Sequence, residues 1–290
     1  MGGLGNQMFQ YAAGRGLSIK NNVELKFDLT HLLDRSPSLS IVFRDYDLDV
    51  FPGIGAFAAT NDEISALFKI APARALHQKI SRKILPTKNY LKEKSFRFDE
   101  RFKKAGANVY LDGYWQSEKY FSAIVQIIRK DFEFSPLSGH ANFALLDNIK
   151  SANSVCLNVR RGDFVSHAGS SGFHGFKGLD YINNAVLHIG NKISDPHFFI
   201  FSDDIEWCRE NIVLQHPVTI VDHLHAGKKF VDYLQLMTAC NHFIIPNSSF
   251  AWWAAWFNQN PDKIVVAPQL WFTDPLIDTS DLIPLSWFRL

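Results

Sequence analysis

Cysteine is scarce in this chain: the 290 residues hold three, Cys156, Cys208 and Cys240. An odd number at unrelated spacings offers neither a disulfide framework nor the paired spacings of a zinc site. Cys156 sits inside the apolar run Val155-Cys156-Leu157 and reads as a buried thiol, so a reducing, cytoplasmic setting is the expectation. An excess of either charge is missing too. With 30 basic and 29 acidic residues the net charge is +1, without the basic surplus that a nucleic-acid surface needs. Arginine pairs must therefore be read locally. No apolar run reaches the length that crosses a bilayer, and no signal-peptide pattern precedes Gly2. The basic stretch at 73–93, with Lys79, Arg82, Lys83 and Lys88, reads as a solvated face. At most it adds a weak peripheral contact with the inner membrane.

The dinucleotide fingerprint G-x-G-x-x-G is likewise missing. The chain opens instead on Gly2-Gly3-Leu4-Gly5-Asn6-Gln7. A glycine turn of this kind normally joins a buried strand to a helix. No strand precedes it here, so the numbered chain is expected to lack a short first strand. A helix over 7–20 comes next, with Met8, Tyr11 and Ala12 on one face, then a strand over 23–27 ending at Asp28. Asp45, Asp47 and Asp49 alternate and would share one face of a strand, a solvated edge rather than a metal-binding D-x-D. Further expectations are a strand at 108–111 and a helix built on Phe121, Ile124, Val125 and Ile128.

A hydrophobic fraction of 47% and a charged fraction of 20% support a sizeable globular core. The turn-rich stretch Phe134-Ser135-Pro136-Leu137-Ser138-Gly139 suits an interdomain boundary, giving domains 1–135 and 136–290. Beyond it, strands and helices alternate. Strands are expected at 154–159, 197–201, 217–221, 242–245 and 263–267, and helices at 179–190, 204–212, 229–240 and 249–258. That alternation calls for a parallel sheet covered by helices on both faces. The architecture expected is α/β, two Rossmann-like halves facing a cleft.

Three of the strand ends carry polar residues of a matched kind. Asn158-Val159-Arg160-Arg161-Gly162-Asp163 puts two guanidiniums at the rim of the sheet, where open α/β folds bind ligands. Planar guanidiniums grip phosphate oxygens in pairs. The ordinary explanation is an Arg161–Asp163 salt bridge. Ser202-Asp203-Asp204 offers a carboxylate that could accept from a base such as guanine, although Asp204 suits a helix N-terminus better. Asn247-Ser248-Ser249 opens the last helix with hydroxyls beside free amides, suited to phosphate or to simple capping. The same three residues match a glycosylation sequon only by coincidence. Together the three ends describe a nucleoside diphosphate site. The tryptophan-rich helix after them, with Trp252, Trp253 and Trp256, reads as a buried brace.

Several of these segments, in order, resemble glycosyltransferase family 11, the bacterial α-1,2-fucosyltransferases. They are Gly2-Gly3-Leu4-Gly5-Asn6-Gln7-Met8-Phe9-Gln10-Tyr11-Ala12, Gly113-Tyr114-Trp115-Gln116-Ser117-Glu118-Lys119-Tyr120-Phe121, Val159-Arg160-Arg161-Gly162-Asp163-Phe164, Phe201-Ser202-Asp203-Asp204 and Asn247-Ser248-Ser249-Phe250-Ala251-Trp252-Trp253-Ala254-Ala255. The resemblance implies a GT-B fold, with GDP-fucose held mainly by the second domain. It implies inverting transfer without a metal or other cofactor, to the 2-hydroxyl of a β-galactoside in glycan or O-antigen synthesis. The acceptor would be an oligosaccharide or a lipid-linked glycan. It places Arg160 on the diphosphate and gives Asn6 a catalytic part. The remaining donor-side candidates are Asn158, Arg161, Ser202, Asp203, Asn247, Ser248 and Ser249. Gln7, Asp28 and Gln116 are expected on the acceptor side, and Asp163 and Asp28 are the candidate bases. The family pattern opens with histidine, H-x-R-R-G-D, where this chain has Asn158, which cannot carry a proton near neutral pH. Two other classes stay open: a transferase of another nucleotide sugar, and a non-catalytic nucleotide- or glycan-binding module.

Overall fold

The computed structural model describes residues 2–35, 44–68, 89–162 and 175–290. The chain divides into two compact units, Met1–Glu133 with Ser280–Leu282, and Phe134–Thr279 with Ile283–Leu290. Phe134 and Ser135 thus go with the second unit, and a three-residue strap near the C-terminus returns to the first.

In the first unit, α1 (Leu4–Asn21) buries Met8, Tyr11 and Ala12 completely, the stripe its sequence shows. Strand β1 (Lys26–Phe27) is followed by α2 (Thr30–Leu33), β2 (Phe57–Ala58) and α3 (Asn61–Phe68). Next come β3 (Tyr90–Lys92), β4 (Tyr110–Asp112) and α4 (Val125–Asp131). β1 pairs with β2 and β3 with β4, both in parallel, as two separate two-stranded ladders. A cavity of about 680 Å³ is lined by residues of β1, β4, α1 and α3. Tyr11 and Arg15 of α1 both bond Asp131 Oδ2 at the end of α4, at 2.7 and 3.0 Å. Burial and that carboxylate push the tyrosine's pKa up.

Two expectations need correction in this unit. Asp45, Asp47 and Asp49 share no strand: Asp45 pairs with Arg35, and a 3-10 turn begins at Leu48. The helix expected around Phe121 is broken into 3-10 turns at Glu118–Tyr120 and Ser122–Ile124 before α4 begins. The basic stretch from 69 to 88 lies outside the described residues.

The second unit runs α5 (Gly139–Ser151), β5 (Asn153–Val159), α6 (Gly178–Gly190), β6 (Pro196–Ser202), α7 (Ile205–Asn211) and β7 (Val218–Val221). It continues with α8 (Val231–Thr238), β8 (His242–Ile244), α9 (Ser249–Phe257), β9 (Val265–Ala267) and β10 (Phe288–Arg289). All six strands are parallel, in the order β10-β9-β8-β5-β6-β7. Counted from β5, this is the 3-2-1-4-5-6 order of a doubly wound nucleotide-binding sheet. The chain moves from β5 through β6 to β7 on one side, then crosses to β8 on the other. The carboxyl ends of β5 and β8 therefore flank the switch point, where such sheets hold their ligands. Val155, Leu157, Phe198, Ile200 and Ile244 pack at the centre of the core against Ile182, Ala185 and Ile189 of α6. The thiols of all three cysteines are buried and free.

Candidate functional site

Parallel register brings the predicted strand ends together. Val159 lies opposite Ser202, and Leu157 opposite Ile244, so the arginine turn after β5 sits between the ends of β6 and β8. Asn158 donates from Nδ2 to the Phe201 carbonyl at 3.0 Å and so cross-links the two strands.

The two neighbouring arginines have different surroundings. Arg161 Nη1 pairs with Asp204 Oδ2 at 2.5 Å, and its guanidinium lies 5.1 Å from the centre of the Trp207 ring. Phe176 meets the same indole edge-on at 5.1 Å. The Arg161–Asp163 pair expected from sequence proximity falls on Asp163, which lies outside the described residues. Arg160 Nη1 stands 3.3 Å from Asp203 Oδ2, and its side chain keeps 32% of its exposure. Both guanidiniums pair with a carboxylate and stay partly exposed, 32% for Arg160 and 26% for Arg161, and Arg161 is in addition packed on an indole.

Asp203 supports the arginine turn. Its Oδ1 accepts from the Arg161 amide at 2.8 Å, and a Cβ at Gly162 would lie 3.2 Å from its Oδ2. The carboxylate thus faces the arginine turn and tethers it to β6 through Oδ1, while its buried Oδ2 accepts no hydrogen bond. Asp204 caps α7, accepting from the Trp207 amide at 3.3 Å, and Ser202 Oγ accepts from the Asp204 amide at 2.9 Å. Burial pushes the neighbouring Cys208 thiol up to about 11, so it stays protonated.

At the end of β8, Asn247 is 3% exposed and its Nδ2 reaches the Gly175 carbonyl at 3.5 Å. Ser248 caps α9 through the Ala251 amide at 3.5 Å, leaving the first amides of that helix at the switch point. Every residue from Ala251 to Phe257 is buried, so the tryptophans are a brace as expected.

In the first unit, Gln116 Nε2 donates to Asn6 Oδ1 at 2.7 Å. Glu93, which the sequence did not single out, arranges this pair. Its carboxylate accepts from the Tyr114 and Trp115 amides at 2.8 and 3.0 Å and holds Trp115 at φ 57°. Gln7 serves the main chain: Nε2 donates to the carbonyls of Gly2 and Asp45, and Oε1 accepts from the Asp47 amide. It braces the opening turn and is not disposed toward an acceptor. Asp28 accepts from Tyr110 Oη at 2.7 Å and from Thr30, and lines the cavity.

His223 escaped the sequence reading, and Phe230, placed by its spacing on the inner face of the helix expected over 229–240, instead precedes α8 and is 46% exposed. His223, just past β7, places Nε2 2.8 Å from the Ser202 carbonyl, and Phe230 meets its ring edge-on at 5.6 Å. Lys229 and Phe230 both hold left-handed backbone, at φ 51° and 64°. No sequence pattern foretells two such residues in succession, since neither is glycine.

The sequence profile of Glycosyl transferase family 11 matches residues 56–289. The chain belongs to that family. This family 11 protein is 31% identical over 298 residues to the alpha-1,2-colitosyltransferase of Escherichia coli, covering 100% of this chain and 96% of that one. It is also 31% identical over 302 residues to the O-antigen biosynthesis glycosyltransferase WbnK of Escherichia coli, covering 100% and 98%. A galactoside 2-alpha-L-fucosyltransferase of Caenorhabditis elegans matches at 27% over 197 residues, 62% of this chain and 52% of the relative. Among solved structures, the fucosyltransferase NodZ from Bradyrhizobium aligns over 87% of this chain and 89% of its own, at 13% identity and a TM-score of 0.45. Among the described residues, no helix is long and apolar enough to cross a membrane.

Proposed function

We propose that this family 11 glycosyltransferase moves L-fucose from GDP-fucose to the 2-hydroxyl of a β-galactoside acceptor, with inversion. The observation that carries the reading is Arg160, a partly exposed guanidinium after β5 at the switch point of a 3-2-1-4-5-6 sheet, whose neighbouring strand β8 leads into the N-terminus of α9. A diphosphate suits that pairing of cation and helix N-terminus. As the bond from the fucosyl anomeric carbon to the β-phosphate oxygen breaks, its electron pair stays on the departing GDP. Arg160 and the α9 amides meet the charge that develops there, the part a bound cation plays in other transferases. The acceptor oxygen attacks the opposite face of the anomeric carbon, and its proton passes to a carboxylate. Asp28, which accepts from Tyr110 and Thr30, and Asp163 are the two candidates for that base. Asn158 contributes as a strand cross-link, with no proton to move. The Asn6–Gln116 pair presents amides suited to sugar hydroxyls.

The test is turnover of GDP-fucose with lactose in EDTA, with linkage analysis of the product. An α-1,2-linked fucosyl product supports the reading, and absence of transfer overturns it. A second reading, with GDP-colitose as donor, rests on the 31% identity to the colitosyltransferase. Colitose lacks the 3-hydroxyl of fucose, so parallel assays with the two donors separate them. Acceptors are expected to be oligosaccharides or lipid-linked glycans met at the inner membrane.

A further inference from the structure

We propose that Glu93 is a positioning residue for transfer: through the turn Gly113–Gln116 it sets the Asn6–Gln116 pair as a seat for one sugar hydroxyl. The inference rests on the glycosyl-transfer reading above and adds what fixes the pair and what the pair recognises. Glu93 follows β3 directly, and Gly113 follows β4. Parallel pairing of Lys92 with Asp112 brings the two strand ends level, and the Glu93 amide donates to the Asp112 carbonyl at 2.8 Å. The Glu93 side chain therefore lies against the turn after β4. A Cβ on Gly113 would stand 2.4 Å from the Glu93 Cβ and 2.7 Å from its Oε2, so glycine is what lets the carboxylate close on the turn. Each carboxylate oxygen takes one amide, Oε2 that of Tyr114 and Oε1 that of Trp115. No cation pairs with Glu93 among the described residues, and burial, with Asp99 and Asp112 near, pushes its pKa up against the pull of the two amides. Charge is thus kept there at a cost to the fold, and what it holds is a turn.

That turn carries strain at one residue. Trp115, buried against Tyr120 and Phe102, holds left-handed backbone where glycine would fit without penalty. The residue aimed by that strain is the next one, Gln116, whose Nε2 meets Asn6 Oδ1. Gln10 Nε2 donates to the Gly113 carbonyl at 3.2 Å, a second tie between α1 and the turn. On the opposite side Gly2, at φ 82°, leaves room for Asn6 Nδ2, which a Cβ there would approach to 2.4 Å. Two amides joined by one N–H···O bond leave an amino group on Asn6 and a carbonyl on Gln116 for a ligand. A hydroxyl both donates and accepts, so the pair offers it both halves of its bonding. A turn braced for stability alone would need neither a left-handed tryptophan nor an amide pair with bonding capacity left over.

The experiment is steady-state transfer from GDP-fucose to lactose, with GDP binding measured alongside, for the full chain, Glu93→Ala, Glu93→Gln, Gln116→Ala and the double variant Glu93→Ala with Gln116→Ala. Glu93→Ala is expected to lower kcat about ten- to a hundredfold, as a misplaced group does, and to leave GDP binding unchanged. Glu93→Gln keeps one acceptor for the two amides and should recover part of that loss. The double variant should fall no further than Gln116→Ala, because Glu93 acts through that side chain. Additive losses refute the inference, as does parental kcat in Glu93→Ala or a loss of GDP binding that matches the loss of kcat; in each case the functional reading stands. Should Glu93→Ala fail to fold, the same cycle is run with Glu93→Gln, and additivity or parental kcat there refutes it. Absence of transfer by the parent overturns the functional reading, and this inference with it.

Discussion

Arg160 and Arg161 are adjacent in sequence and opposite in duty. Arg161 is held close to its carboxylate and against an indole, whereas Arg160 stands farther from its own, at 3.3 Å, and on the proposed mechanism meets the diphosphate. Arg160→Ala should therefore lower kcat at least about a hundredfold, as loss of a donor to developing charge does. Arg160→Lys should restore only part of it, since an ammonium cannot grip two oxygens in one plane. Trp207→Leu removes the surface beneath Arg161 and should raise KM for the donor severalfold while changing kcat less; steady-state kinetics distinguishes the two arginines. The sequence showed which residues meet at the rim but not who pairs with whom. Asp204 reaches Arg161 across the sheet, because parallel register sets Val159 opposite Ser202. Glu93, His223 and Phe230 act through partners distant in sequence or through strained backbone, and neither leaves a periodic trace.

Among elements, the strap Ser280–Leu282 has a clear physical part in the first unit. The Asp281 carboxylate accepts from the Phe98 amide at 2.8 Å and from Lys119 at 2.5 Å, while Ser117 donates to its main-chain carbonyl at 2.5 Å. Burial opposes its charge, but Lys119, the amide and Arg97 outweigh that and hold the pKa below the usual carboxylate value. A lowered folded pKa means that this stabilisation is present above the unfolded value, about 4 for aspartate, and is lost as pH falls through the folded one. Asp281→Asn should cost the first unit about 1–3 kcal/mol at pH 7, by leaving donors poorly matched. The penalty should shrink under acid, which denaturant titrations at pH 7 and pH 3 would show. Elements of the second unit were largely legible, because β5, β6 and β8 are continuous apolar runs and α6 repeats every three or four residues. Helix α5 was missed: Asn142 occupies one of its buried positions, beside Leu145 and Ile149, and hides the stripe. The first unit was harder, since its strands span two or three residues and 3-10 turns replace a helix.

Taken whole, the chain joins a six-stranded sheet to a unit held by two short ladders and aromatic packing. Unfolding should pass through two transitions in calorimetry, with the first unit melting at the lower temperature. GDP at a hundred times its Kd should stabilise the second unit by about 2.7 kcal/mol and move the upper transition alone. On the proposed mechanism, in which guanidinium and helix amides take the place of a cation, transfer should persist in EDTA.

The cavity of the first unit has a consequence of its own. β1 and β4 each have one strand partner among the described residues, and both line that space. Edge strands can template pairing with another chain once a fold loosens. As the lower transition proceeds, neighbouring molecules should zip together there, so light scattering should rise with the first melting step, well before the nucleotide-binding sheet opens.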